Sequence, residues 1–161
     1  MPASLPPWAE AMLRSARVGR LATADAAGCP LVVPVCYALA EGTVYSAIDA
    51  KPKRSTGRGL RRIRNIEENP HVSLVVDEYD EDWTRLRYVI AEGTAALLTG
   101  GEEFGRAVDL LRAKYPQYRA MGLDRAGGWV IAIAPARFLS WRFDPGAGPD
   151  GPPLPPDRVL L

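Results

Sequence analysis

From residue 87 to residue 98 apolar and polar side chains largely alternate, a period of two that predicts a long strand. Gly93 sits inside it, where a glycine marks a bulge. Shorter patterns predict strands over 18–24, 31–39, 43–48 and 71–77, and a last one over 129–143 interrupted near Pro135. The 31–39 run is nearly all apolar and is expected to be buried on both faces. Pro34 conflicts with that, because proline donates nothing to a ladder and belongs at an edge or a bulge. Turn residues at Asp25–Gly28 and Glu41-Gly42 join the first three strands into an expected antiparallel meander. Helical spacing recurs three times. Trp8, Ala11, Met12 and Ser15 share a face over 6–15, and Leu60, Ile63 and Ile66 or Glu67 mark a short helix ended by Asn69-Pro70. Phe104, Ala107, Val108 and Leu111 point inward from a helix over 102–115. Six mostly antiparallel strands with helices at their ends predict a mainly β chain with α additions, a small barrel.

Composition narrows the class. A chain of 161 residues, 47% hydrophobic and 24% charged, suits one soluble globular domain of residues 1–143. Residues 144–161 hold six prolines and read as a Pro/Gly-rich C-terminal tail. No window approaches the roughly 20 apolar residues of a membrane span, and residues 1–8 lack the pattern of a signal peptide. Cys29 and Cys36 are too far apart along one strand for a disulfide, and His71 is the single histidine. Both facts argue against zinc and for a reducing cytoplasm.

Net charge is +1, yet seven Lys or Arg residues and no acid lie between Lys51 and Arg64. Such a segment calls for an anion. The near-neutral total and the acidic run Asp77–Asp82 argue against nucleic acid.

Four pieces around this segment carry a resemblance: Val18 to Tyr37, Val44 to Asp49, Arg61 to Pro70, and Val72 to Asp77 leading to Gly93-Thr94-Ala95. In order and spacing they resemble the pyridoxamine-phosphate-oxidase-like, flavin-binding split β-barrels, and within them the branch that uses the deazaflavin coenzyme F-420. The resemblance covers about 15–143. It implies a six-stranded antiparallel split barrel and a homodimer with the cofactor at the interface. It further implies that Val33, Pro34 and Val35, with Ser46 and Ala47, lie against the ring. The phosphate-binding cation is reached in two ways. Counting forward from Ser46-Ala47 gives Lys53, with Lys51 nearby; counting back from Asn69-Pro70 gives Arg62, with Arg61 beside it. An insertion of about nine residues separates the two counts, and both anchors stay open.

The residue types suit that chemistry. Arginine offers a planar fork to phosphate oxygens, and a helix starting near Gly59 adds its positive end. Hydride transfer belongs to the cofactor, so no nucleophile triad is needed. The polyanionic tail of F-420 suits a long basic loop better than flavin mononucleotide does, and no pyridoxal-phosphate site is apparent. The expected function is a hydride transfer between F-420 and a small electron-poor substrate. The rivals are an oxidoreductase that uses flavin mononucleotide, and a non-catalytic holder of flavin, deazaflavin or haem. The plainer reading of each residue stands beside these: Arg61 and Arg62 as solvated helix residues, Ser46 and Ala47 as strand filler, Trp83 as a surface aromatic and His71 as an exposed strand start.

Overall fold

The computed structural model describes residues 5–48 and 59–145. Lys51, Lys53 and the tail from residue 146 therefore lie outside the described residues. Seven strands are described: β1 (Gly19–Ala24), β2 (Pro30–Val35), β3 (Ala38–Ala40), β4 (Thr43–Ile48), β5 (His71–Glu78), β6 (Arg87–Leu98) and β7 (Trp129–Arg142). The helices are α1 (Pro7–Ser15), α2 (Arg61–Glu68), α3 (Gly101–Lys114) and α4 (Gln117–Ala120). All strand pairings are antiparallel, in the order β2-β1-β5-β6-β7-β4-β3.

That order closes the sheet on itself. β2 and β3 are its two edges, yet only Cys36 and Tyr37 separate them in the chain. Two residues span too little distance to cross an open sheet, so it curls until its edges meet there. The expected 31–39 strand is thus two strands on opposite edges, which makes seven strands rather than six. The expected three-strand meander is a β1–β2 hairpin followed by a β3–β4 hairpin.

Inward residues of the strands fill the barrel: Leu21, Val44, Leu74, Val76, Val89 and Ile133 are essentially buried. Two helices close its ends. α1 adds Ala9, Met12 and Leu13, and the buried hydroxyl of Tyr37 donates to the Leu13 carbonyl. Ala11 and Ser15, expected on that face, are exposed instead, because the buried set follows i, i+3, i+4 from Ala9. At the other end Ile63 and Ile66 of α2 enter the core, and the amide of buried Asn65 donates to the hydroxyl of buried Thr23 at 3.0 Å. A second core lies outside the barrel, where Phe104, Ala107, Val108 and Leu111 of α3 cover Ala38, Ala47 and Val130.

The long hairpin carries the expected bulge. Glu92 pairs with Arg137 and Gly93 with Pro135, leaving Ala136 without a partner. The backbones approach so closely that a Cβ on Gly93 would lie 2.1 Å from the Ala134 carbonyl oxygen. The acidic run is tied to arginines of the barrel: Asp77 to Arg20, Glu78 to Arg87, and Asp80 and Asp82 to Arg85. Among the described residues, no helix is long and apolar enough to cross a membrane.

Candidate functional site: the split between β2 and β4

Two strand edges come together without pairing. Among the described residues β2 is laddered to β1 alone. β4 pairs with β3 only through Thr43, Val44 and Tyr45. From Ser46 to Ile48 its partners are Ile131, Val130 and Trp129 of β7, so its other edge has no ladder among the described residues. The Ser46 hydroxyl donates to the Cys36 carbonyl at 2.8 Å and ties this edge to the end of β2. Between the two edges backbone amides and carbonyls remain for a ligand.

Of the residues expected beside the ring, Val33, Pro34 and Val35 lie on the edge strand β2, and Ser46 and Ala47 on the part of β4 that β3 does not cover. Val33 is half-buried and Val35 buried, both facing the barrel interior, whereas Pro34 is exposed on the outer face of the edge strand. The edge position resolves the conflict that Pro34 raised. It also corrects the expectation for β2: its pattern alternates, with Pro30, Val32 and Pro34 exposed, rather than being buried on both faces. Ser46 faces inward at 1% exposure with its hydroxyl already engaged. Ala47, on the opposite face, packs beneath α3.

β4 ends at Ile48, and of the basic segment the described part, from Gly59 on, forms the start of α2. Arg61 is exposed and Arg62 half-buried. The first turn of α2 contains no acid and its Leu60 cap makes no side-chain hydrogen bond, an arrangement that suits an external anion. Asn65 and Thr23 fix the helix on β1, and the Glu68 carboxylate accepts from the Ala26 amide. The residue types suit a flat group with an anionic tail: unladdered backbone on β2 and β4, and arginines at the start of α2. Among the described residues no cluster of His, Cys, Asp and Glu is arranged to hold a metal.

The remaining sequence candidates lie elsewhere. His71 is exposed on the outer sheet face. Trp83 is 67% exposed in a single 3₁₀ turn near Tyr79, which is 68% exposed. The Tyr45 hydroxyl donates to Glu103 at 3.0 Å, and burial with this bond raises its pKa. Sequence reasoning missed the cluster of Tyr37, Tyr115, Lys114 and Arg17, in which the Tyr37 amide donates to the Tyr115 hydroxyl at 3.1 Å. No local pattern announces a contact across 78 positions.

The outer sheet face is apolar over much of its breadth. Val75, Ile90 and Leu139 run across β5, β6 and β7, Tyr88 stacks on Trp141 with centroids 5.9 Å apart, and Val32 is 61% exposed.

Comparison with known proteins gives this arrangement its context. A family model described as pyridoxamine 5'-phosphate oxidase matches residues 5–142. A 5a,11a-dehydrotetracycline/5a,11a-dehydrooxytetracycline reductase from Streptomyces rimosus subsp. rimosus is 41% identical over 95 residues, 56% of this chain and 63% of that protein. The chain thus spans less than two thirds of that relative's length. Among solved structures, a heme storage protein from Vibrio cholerae superimposes with a TM-score of 0.68 at 17% identity, covering 85% of this chain and 94% of that one. An F-420 reductase superimposes with a TM-score of 0.58 at 22% identity, covering 84% and 98%. At these identities the structural likeness is one of fold.

Proposed function

Because the chain belongs to the pyridoxamine 5'-phosphate oxidase family, we propose that it is a reductase that holds coenzyme F-420 in the β2–β4 split and reduces a small electron-poor organic substrate. The observation that carries this reading is the pair of unladdered edges, β2 and Ser46–Ile48 of β4, leading directly into the basic segment. The partial relative that reduces dehydrotetracyclines and the F-420 reductase of the same fold support it. Flavin mononucleotide, the alternative cofactor, has a shorter anionic part for the same run of cations.

When bound, reduced F-420 supplies the hydride. The chain's own residues then have three tasks. Free backbone groups of β2 and of Ser46 to Ile48 hold the edge of the ring system. Arg61 and Arg62, with Lys51 and Lys53, take the phosphate and the anionic tail through charge-assisted hydrogen bonds. The Ser46–Cys36 bond keeps the two edges at a fixed spacing, which positions the ring for transfer.

The reading includes a homodimer working in the cytoplasm. The outer face of β5, β6 and β7, with exposed Val32 at its margin, is the surface offered to the second copy. Free Cys29 and Cys36 are compatible with a reducing compartment.

The test is to mix the protein separately with F-420, flavin mononucleotide and haem, following cofactor fluorescence or absorbance. Micromolar binding of F-420 is expected, followed by oxidation of the reduced cofactor by some member of a panel of enones, quinones and nitro compounds. Binding of haem in preference to both flavins would overturn the reading in favour of a carrier.

A further inference from the structure

The end of α3 brings two cations together. Lys114 Nζ lies 4.3 Å from the centroid of the Tyr37 ring and 5.6 Å from that of Tyr115. The Arg17 guanidinium carbon lies 5.1 Å from the Tyr115 centroid, and its Nη1 donates to the Lys114 carbonyl at 2.6 Å. Lys114 Nζ is sealed from solvent and has no hydrogen-bond partner among the described residues. The ion pairs among the described residues include neither Lys114 nor Arg17. Burial, and then the charge of Arg17, bring the Lys114 ammonium down to about 8, with Cys36 acting in the opposite sense. The titratable and charged groups facing this ammonium are thus Arg17, Cys36, Tyr37 and Tyr115, and none is a carboxylate.

A buried ammonium is ordinarily paired. Ring faces offset part of the cost here, through cation–π attraction. They do not remove the repulsion from Arg17. An anion would. Beside the pair opens a cavity of about 310 Å³, lined by Arg17, Val18, Cys36, Tyr115, Gln117, Tyr118 and Met121. Val18 and Met121 are 45% and 51% exposed, an unusual display of apolar surface at the rim of a positive site.

We propose that this cavity is a second ligand site, taking a small aromatic monocarboxylate whose ring lies among Tyr115, Tyr118 and Met121 and whose carboxylate meets Arg17 in the field of buried Lys114. Charge complementarity argues for one negative charge, and the largely apolar walls argue for a hydrocarbon body rather than a phosphate or a sugar. The site is separate from the β2–β4 split. It shares with it only Cys36, which faces the cavity and offers its carbonyl to Ser46. The inference is independent of the cofactor assignment.

The test uses the whole chain without cofactor and benzoate as probe, with benzyl alcohol as its uncharged counterpart, followed by amide NMR at pH 6.5 and 9.5. Benzoate is expected to shift the amides of Val18 and Met121 and to bind at least tenfold more tightly than benzyl alcohol at pH 6.5. It should weaken severalfold at pH 9.5, where Lys114 loses its charge. Arg17→Gln, at an exposed position, should weaken benzoate at least fivefold, and Lys114→Met should abolish the pH dependence. Equal binding of the alcohol, shifts confined to another surface, no binding at millimolar benzoate, or an unchanged affinity in Arg17→Gln would each overturn the proposal. The comparison of acid with alcohol needs no variant and stands even where a substitution impairs folding.

Discussion

The hydroxyl of Ser46 and the carbonyl of Cys36 meet at 2.8 Å where the two edges of the curled sheet approach each other. Ser46 is 1% exposed, so this bond is a fastener inside the barrel wall. Ser46→Ala leaves the Cys36 carbonyl without this donor and is expected to cost about 1–2 kcal/mol in urea unfolding. Because the bond sets the spacing of the split, F-420 affinity should fall by more than an exposed alanine substitution such as Thr99→Ala causes. Equal affinities in the two variants would remove Ser46 from the site.

The bulge gives the sharpest structural forecast. A methyl group at Gly93 would collide with backbone rather than with a movable side chain, since the Ala134 oxygen would lie 2.1 Å away. Gly93→Ala is therefore expected to destabilise by about 1–3 kcal/mol or more. Gly127→Ala, where nothing lies within 4 Å, is the control and should change the unfolding midpoint little.

These cases separate what local sequence carries from what it does not. The bounds of β6, the Gly93 bulge and the inward face of α3 follow from period and from single glycines, and the structure has them as read. The break at Cys36-Tyr37 carries no glycine or proline, so one apolar run concealed two strands that end on opposite edges. The alternating burial of β2 is hidden in the sequence, because a run of Val and Pro looks the same on a free edge as in a covered sheet. The ring-side residues were reached through family pattern. The unladdered edge at Ser46 to Ile48 depends on β3 beginning only at Ala38, a tertiary fact. Lys114 and Tyr37 lie 77 positions apart, and no motif joins them.

The two counts for the phosphate anchor make different forecasts. Arg62→Gln and Lys53→Gln each remove one cation from the same basic run. The true anchor should lose about 1.5–3 kcal/mol of F-420 affinity, roughly tenfold or more, and the other much less. Raising salt should weaken F-420 binding in both, because part of the attraction is long-range and screened. Affinities within twofold of the unaltered protein in both variants would exclude the basic run from the cofactor site.

Dimerisation is checked at the sheet face. Val32 is 61% exposed in the single chain, so Val32→Glu should change monomer stability by less than about 0.5 kcal/mol. In sedimentation the unaltered protein is expected to run as a dimer and the variant to dissociate at micromolar concentration. A variant that stays dimeric would move the interface away from β2.

Lys114 predicts a rise in stability with pH. Its ordinary value of 10.5 falls to about 8 in the folded chain, through burial first and the nearby Arg17 charge second. Between those values the unfolded chain holds a proton that the folded chain has released. The slope of unfolding free energy against pH is positive there, so stability increases from about pH 8 toward 10.5. Below that window both states are charged, and the full cost of burying the ammonium beside Arg17 remains. Tyr37 and Tyr115 act in the opposite direction, since burial raises both, but their effect begins only near the unfolded tyrosine value of about 10. Urea unfolding at pH 7 and pH 9.5 isolates the lysine. The stability of the unaltered protein relative to Lys114→Met should become more favourable at the higher pH. A difference that stays constant would mean that the ammonium is solvated, and a difference of the opposite sign would mean that an acid pairs with it.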